Sequence, residues 1–443
     1  MVSDDFTDPR LGGAQQKGAR KSTCHISVHV QMLGELKAAA MSTLLRALAT
    51  FVPSPSSSLL LFLLLLPLSL SFRGRPQQQH QSHLPSLVPH MPRPLSRSRF
   101  SAQAQLDLTT HCNSSCYHRG EQEPRRDLLA DRLAFETLYS DGSRTLTTVD
   151  LEDEEDSEGG YSIEAIMTAR PRPARGGRSV PKKRRKRQIY GADGRFNIRG
   201  DNFLLDYPFS TAVRISTGCT GVLVSPRHVL TAAHCVHDGK DYVKGARKLR
   251  VGFLTPPPSS ANATKPAPAS SLLPLKKPLV RWVRVKRTRV PKGWIQGPQD
   301  VSMDFDYALL ELRWPHRRPF MRLSVAPSAE DLAGKRIHFS GFDSDRPGEL
   351  VYRFCPVEDE SNDLIYQHCD ARPGASGSGV YGRVWDDQLE RWERKVIGVF
   401  SGHQWLEIDG ENHDFNVAVR LTPLKFAQIC YWVHGSRVDC SKD

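Results

Sequence analysis

The chain has 443 residues, 25% of them charged and 39% hydrophobic, with a net charge of +13. This composition excludes a polytopic membrane protein and leaves room for an ordinary core plus accessory segments. A basic balance fits nucleic acid, acidic glycans or anionic membranes. No zinc-finger spacing or RNA-binding signature accompanies it, so nucleic acid is not expected as a partner.

Residues 59–70 read LLLFLLLLPLSL. The run has the length of a secretory signal and is short and proline-broken for a membrane-spanning helix; a type II anchor is the rival reading. It lies deep in the chain, but Met41 opens a short segment carrying Arg46. Residues 1–40 are therefore expected to be a non-native extension and residues 41–72 the signal peptide. Without residues 1–40 the chain loses Cys24, and its 9 cysteines become an even set: Cys112, Cys116, Cys219, Cys235, Cys355, Cys369, Cys430 and Cys440. None sits in a CxxC pair beside histidines, so they read as disulfides of a secreted, extracellular protein and no metal is expected.

Residues 73–187 lack sustained periodicity and alternate between Gln/His/Pro/Arg-rich, acidic and Pro/Gly/Arg-rich stretches. That composition predicts a mostly disordered prosegment. One patch, residues 132–139 ahead of Asp141-Gly142, looks more ordered. Cys112 and Cys116 are close enough to bridge locally, and Asn113 is a glycosylation acceptor. The segment ends in Lys182-Lys183-Arg184-Arg185-Lys186-Arg187. In a secreted chain this run predicts cleavage by a proprotein convertase between Arg187 and Gln188.

From residue 188 to 443 short apolar runs are separated by Gly, Pro, Asp and Asn, as at 211–215, 221–224, 248–254, 307–312, 337–340, 350–354, 396–400 and 415–419. This pattern predicts an all-β domain of sandwich or barrel type. Only residues 423–433 space their apolar side chains as a helix would. The Pro/Ser/Ala-rich insert 255–271 reads as a surface loop and carries a second acceptor, Asn262. Residues 281–292 partly alternate cationic and apolar side chains; as a strand they would show a basic face, solvated or available to sulfated glycans.

Three stretches bear on chemistry. Residues 373–380, Pro-Gly-Ala-Ser-Gly-Ser-Gly-Val, place Ser376 and Ser378 among glycines that let backbone approach a substrate carbonyl. Residues 229–235, Val-Leu-Thr-Ala-Ala-His-Cys, bring an apolar strand to His234, and a hairpin would set Cys219 beside Cys235. Residues 303–312 place Asp304 and Asp306 at the head of an apolar strand, where a carboxylate accepts from a histidine Nδ1–H. Alone, each fits a turn or a structural disulfide. Together they offer a nucleophile, a base and an orienting acid.

Thr231-Ala232-Ala233-His234-Cys235, Asp306-Tyr307-Ala308-Leu309-Leu310 and Gly374-Ala375-Ser376-Gly377-Ser378-Gly379 resemble the three signature blocks of the trypsin-like (chymotrypsin-fold) serine proteases. The resemblance covers residues 188–442. It implies two packed six-stranded antiparallel β-barrels with a C-terminal helix, and a monomeric endopeptidase acting on protein substrates without a cofactor. Carried over, Ser376 is the nucleophile, His234 the base and Asp306 the acid, with the N–H groups of Gly374 and Ser376 as oxyanion hole. The resemblance also implies disulfides Cys219–Cys235, Cys355–Cys369 and Cys430–Cys440, leaving Cys112–Cys116 within the prosegment. Asp370 stands where the trypsin pattern has the carboxylate that binds basic side chains. His403, in Ser401-Gly402-His403, resembles the histidine with which glutamyl-specific relatives bind acidic ones. The two could also pair and cancel; basic side chains are the expected preference. One departure stands out. Ala375 occupies the place of the aspartate that pairs with the new N-terminal amine in digestive enzymes, so cleavage after Arg187 cannot organise the site through that ion pair.

Overall fold

The computed structural model describes residues 85–112, 125–152, 189–198, 201–255, 279–297, 302–386, 389–408 and 410–435, all within one compact unit, His83–Asp443. The run at 59–70, the expected cleavage pair Arg187 and Gln188, Asn113, Asn262, Cys24, Cys116 and Cys440 lie outside the described residues.

The residues ahead of the protease-like half are not featureless. They form β1 (Ser86–Pro89), β2 (Arg93–Leu95), β3 (Thr109–Cys112), α1 (Arg126–Leu133), β4 (Phe135–Tyr139), β5 (Arg144–Thr147) and β6 (Val149–Glu152). Expected disorder therefore gives way to structure over 85–112 and 125–152. These strands are too short to bury a core of their own. β1 pairs with β6 and β2 with β5, while β4 and β3 find ladder partners on β12 (Leu279–Pro291) and β18 (Arg391–Ile408) of the domain that follows. The ordered patch at 132–139 proves to be the end of α1 and all of β4, with Leu133, Phe135 and Leu138 buried.

After β7 (Phe196–Ile198) come β8 (Ala212–Ile215), β9 (Thr220–Ser225), β10 (His228–Thr231), β11 (Arg250–Thr255), β12 (Leu279–Pro291) and β13 (Ala308–Leu312). They run in the order β11-β8-β9-β10-β13-β12, and β12 pairs with β11 to close a six-stranded barrel. Its interior includes Val213, Leu230, Val251 and Leu310. The strands β4, β5 and β2 continue this sheet outward from β12. The second set is β14 (Arg336–Gly341), β15 (Leu350–Glu360), β16 (Leu364–Gln367), β17 (Gly379–Asp386), β18 (Arg391–Ile408) and β19 (Glu411–Arg420). These run β14-β17-β18-β19-β16-β15, and β14 also pairs with β15. Ile337, Phe339, Ile365, Val380 and Phe400 fill this barrel.

Helix α2 (Pro423–His434) closes the described chain. Thr422 caps it by accepting the Lys425 N–H, Pro423 enters where no N–H is needed, and Gly435 ends it at φ 74°. Its apolar face includes Ile429 and Trp432, and Phe135 of β4 packs edge-on against Trp432 at 5.3 Å between ring centroids. No described helix is long and apolar enough to cross a membrane.

The basic tract is β12 and the turn after it; Arg281, Arg284 and Lys286 are exposed, while several of its cations are paired. Lys286 and Arg287 both bond Glu311, Arg289 bonds the Trp432 carbonyl, and Lys292 bonds Asp131 at 2.6 Å.

Candidate active site

The histidine and the aspartate are brought together by strand register. Strand β10 pairs antiparallel with β13, Thr231 opposite Ala308. The residues just past one end therefore lie beside those just before the other. His234 sits in a tight turn, Ala233–Cys235, behind the fully buried Ala232 and Ala233. The Cys219–Cys235 disulfide, Cα–Cα 6.0 Å, ties this turn to the previous hairpin. Asp306 caps the turn Met303–Phe305 and is fully buried. Its Oδ1 accepts the backbone N–H of His234 at 2.8 Å, and its Oδ2 lies 2.7 Å from His234 Nδ1. Ser401 Oγ donates a further hydrogen bond to Oδ2. One carboxylate thus fixes both the turn and the ring, which leaves Nε2 as the imidazole's reactive end.

The serine lies in a loop whose shape demands glycine. Gly374 has φ +98° and Gly377 φ +84°; a Cβ on Gly377 would sit 2.2 Å from Thr231 Oγ1, and one on Gly374 2.5 Å from the Phe342 carbonyl. Among the described residues, the N–H groups of Gly374 and Ser376 have no backbone acceptor. Ser376 is buried and its hydroxyl donates to the Ser401 carbonyl at 3.0 Å, with the Leu106 carbonyl at 3.5 Å. It does not bond His234, whose Nε2 is buried without a partner among the described residues.

The rivals separate cleanly. Ser378 is fully buried and donates to the Ala375 carbonyl at 2.6 Å, so its hydroxyl is spent on the loop. Asp304 is half-buried in the preceding turn, while Asp306 alone reaches the imidazole. Cys219, His234 and Cys235 cluster as metal ligands would, but both sulfurs are consumed in the disulfide, so they cannot serve as thiolate ligands.

The two expected specificity residues do other work. Asp370 Oδ1 accepts the Tyr190 N–H and Oδ2 the Gly194 N–H, each at 2.6 Å. Its carboxylate therefore anchors the segment from Tyr190 to Gly194. Nor does it pair with His403. That ring is buried, edge-on to Trp405 at 5.3 Å, with Nε2 3.9 Å from Asp414 Oδ2. Ser401, expected to bind substrate, contributes its side chain to Asp306 and its carbonyl to Ser376. The disulfide Cys355–Cys369 is present, and Cys112 and Cys430 are disulfide-bonded too.

An ion network that sequence reasoning missed supports the serine loop. Asp343 is fully buried; its Oδ2 accepts from Arg195 Nη1 at 2.8 Å and from the Arg372 N–H at 3.0 Å, and its Oδ1 from Arg353 at 2.5 Å. Arg195 also bonds Asp193 and Asp345. Burial opposes the Arg195 charge, but bonds from Asp193, Asp345 and Asp343 outweigh it and hold its pKa above the ordinary value. The hydrogen bond from Arg195 likewise holds the Asp193 carboxyl well below the usual range. The Ser344 N–H bonds the Pro373 carbonyl at 2.8 Å. Meanwhile Ala375 is packed in the apolar core of the second barrel, where an unpaired carboxylate would be costly. The loop that carries Ser376 is thus braced by Arg195 and Asp343, not by an acid beside the serine.

Comparison with known proteins agrees with this geometry. Residues 219–385, which contain His234, Asp306 and Ser376, match the family described as "Trypsin-like peptidase domain". "Serine protease 23" of Rattus norvegicus is 54% identical over 358 residues, covering 81% of this chain and 90% of that protein. "Inactive serine protease 35" of Macaca mulatta is 43% identical over 397 residues, covering 82% and 93%. A solved Glu endopeptidase in complex with MPD aligns at 19% identity and TM-score 0.39, over 55% of this chain and 98% of its own. On the identity to these two relatives the chain belongs to the trypsin-like serine protease family, in the branch that holds serine protease 23 and inactive serine protease 35.

Proposed function

We propose that the protein is a secreted serine endopeptidase, made as a precursor that a proprotein convertase cuts after Arg187. The observation that carries this is the His234–Asp306–Ser401 array, with an unpartnered Nε2 buried at the same site as Ser376.

In the reaction the Ser376 hydroxyl turns from the Ser401 carbonyl toward His234. Its oxygen attacks the scissile carbonyl carbon while Nε2 takes the proton. The charge that collects on the carbonyl oxygen is received by the free N–H groups of Gly374 and Ser376. Asp306, held by the Ser401 hydroxyl, stabilises the imidazolium without taking its proton. Nε2 then protonates the leaving amine as the C–N bond breaks. Water, deprotonated by the same nitrogen, releases the acyl group from Ser376. No cofactor or metal enters these steps.

A fluorophosphonate probe tests the reading. Covalent labelling of the mature form, abolished in Ser376→Ala, is expected; no labelling, or labelling that survives the substitution, refutes it. The competing reading is a catalytically silent module that binds sulfated glycans through the basic tract, in keeping with the printed name of one relative. The pairing of Lys286 and Arg287 with Glu311 weighs against it, and elution from heparin at ordinary salt would dispose of it.

A further inference from the structure

The edge of β18 just beyond Ser401 is occupied, and its occupant comes from ahead of the processing site. The N–H of His403 donates to the Leu108 carbonyl at 2.9 Å. Strand β3 then runs parallel to β18, Thr109 opposite His403 through Cys112 opposite Leu406, and Gln404 Nε2 donates to Thr110 Oγ1 at 3.1 Å. Upstream of β3 the same segment crosses the nucleophile: the Leu106 carbonyl oxygen lies 3.5 Å from Ser376 Oγ. The fit depends on bare backbone. A Cβ on Gly402 would stand 2.3 Å from the Leu108 carbonyl oxygen, and one on Gly218 2.9 Å from Leu106 Cδ1.

We propose that in the precursor residues 106–112 of this chain occupy the β18 edge from Gly402 to Leu406 as a parallel strand, in a pose that blocks the nucleophile and is not cut. The proposal rests on the protease reading above. The pose is unproductive for a chemical reason. Attack needs the carbonyl carbon facing Oγ and the carbonyl oxygen on the N–H groups of Gly374 and Ser376. Here it is the oxygen of Leu106 that lies toward Oγ, at 3.5 Å, while the hydroxyl proton goes to the Ser401 carbonyl at 3.0 Å; among the described residues the two N–H groups have no backbone acceptor and His234 Nε2 is not bonded to the serine. Neither the base nor the electrophile is in place.

A second consequence concerns release. A cut after Arg187 severs the chain but leaves the blocking segment docked. Strand β4 stays paired with β12, Phe135 opposite Pro291 through Tyr139 opposite Arg287. Phe135 stays against Trp432, and Leu133 and Leu138 stay buried. The product of that cut is a latent two-chain complex, and a free site requires displacement of residues 106–112 as well.

The test uses the full chain, intact and cut after Arg187, labelled with a fluorophosphonate, together with amide exchange of residues 403–406. Leu106→Asp/Leu108→Asp is the displacing variant; both leucines are partly buried at the rim of the core, so the barrels do not depend on them. Losing two apolar anchors is expected to speed labelling at least about tenfold and to expose the 403–406 amides. The cut wild-type chain is expected to label no faster than the intact one. Equal labelling of variant and wild type overturns the proposal, and fast labelling on cleavage alone overturns its second half. A variant that fails to label although its 403–406 amides exchange freely overturns both the blockade and the protease reading beneath it.

Discussion

The substitution Asp343→Asn is the sharpest probe of how this site is organised without an acid at position 375. Asp343 is buried between two arginines, with Arg195 Nη1 at 2.8 Å and Arg353 Nη2 at 2.5 Å, and it also accepts the Arg372 N–H at 3.0 Å. Asparagine keeps the shape but removes the charge. Arg353 is then buried against a neutral group, while Arg195 retains Asp193 and Asp345. Breaking one side of a buried pair costs about 3–5 kcal/mol of stability. The Arg372 N–H stands two residues before Gly374, so loosening it moves an oxyanion donor. Losing such a donor is worth about 10²–10³ in rate, which sets the ceiling for the fall in labelling. The assay is fluorophosphonate labelling in the Leu106→Asp/Leu108→Asp background, with denaturant unfolding measured in parallel. A pH series adds a readout that mere destabilisation would not mimic. A site braced by an α-amine loses its brace above that amine's pKa of about 7.7–8.0, whereas a guanidinium stays charged. Labelling is therefore expected to hold its plateau above pH 8. A wild-type labelling rate in Asp343→Asn, or an alkaline loss with the midpoint of an amine, would refute the argument.

Other outcomes follow from the same contacts. Asp306→Asn is expected to cut the labelling rate by about 10⁴ with little change in fold, because the imidazole loses its fixed tautomer; labelling kinetics beside circular dichroism check this. Phe135→Ala should weaken the β4 clamp by about 3–5 kcal/mol, so that the chain cut after Arg187 sheds its prosegment on size exclusion while wild type does not. Burial pushes His228 and His237 down to about 4 from 6.5, so their contribution is complete above pH 6.5 and lost as pH falls toward 4. At about 1.4 kcal/mol per pKa unit, each accounts for up to about 3 kcal/mol of acid destabilisation, read from urea midpoints at pH 7 and pH 4. Glu360 runs the other way. Burial raises it to about 7 from 4.5, so its ionisation penalty is absent below pH 4.5 and complete above pH 7. Glu360→Gln is expected to raise the melting temperature at pH 8 and not at pH 4; equal shifts at both would contradict the assignment.

Much of the site was legible before any coordinates. Glycines flanking Ser376, small alanines before His234 and an aspartate heading an apolar strand are local signals, because each is a demand on backbone geometry within a few residues. Asp306 over Asp304 and Ser376 over Ser378 followed from the family frame and agree with the contacts each one makes. The contacts of Asp370 were not legible, because a residue's offset from the nucleophile says where its backbone lies, not which group its carboxylate meets. The N–H groups of Tyr190 and Gly194 reach it from about 180 residues away in sequence. Arg195 and Asp343 escaped notice for the same reason: each is an ordinary surface-type residue until a loop 148 positions distant closes over it.

Composition determined that this chain has a β-rich basic domain behind a polar leader, since apolar run length and glycine spacing are properties of the string. The resemblance to the family, rather than composition, singled out Ser376, His234 and Asp306 as the candidate nucleophile, base and acid. Tertiary structure decided what those residues touch. The polar leader looked unable to fold because it buries little by itself. Its strands pair partly with one another, but β4 and β3 complete their hydrogen bonds on β12 and β18 of the barrels, and the short piece from Leu106 to Cys112 is thereby laid beside Ser376. A ladder between segments nearly 300 residues apart leaves no local mark in either one, so only the folded chain could place the leader in the site.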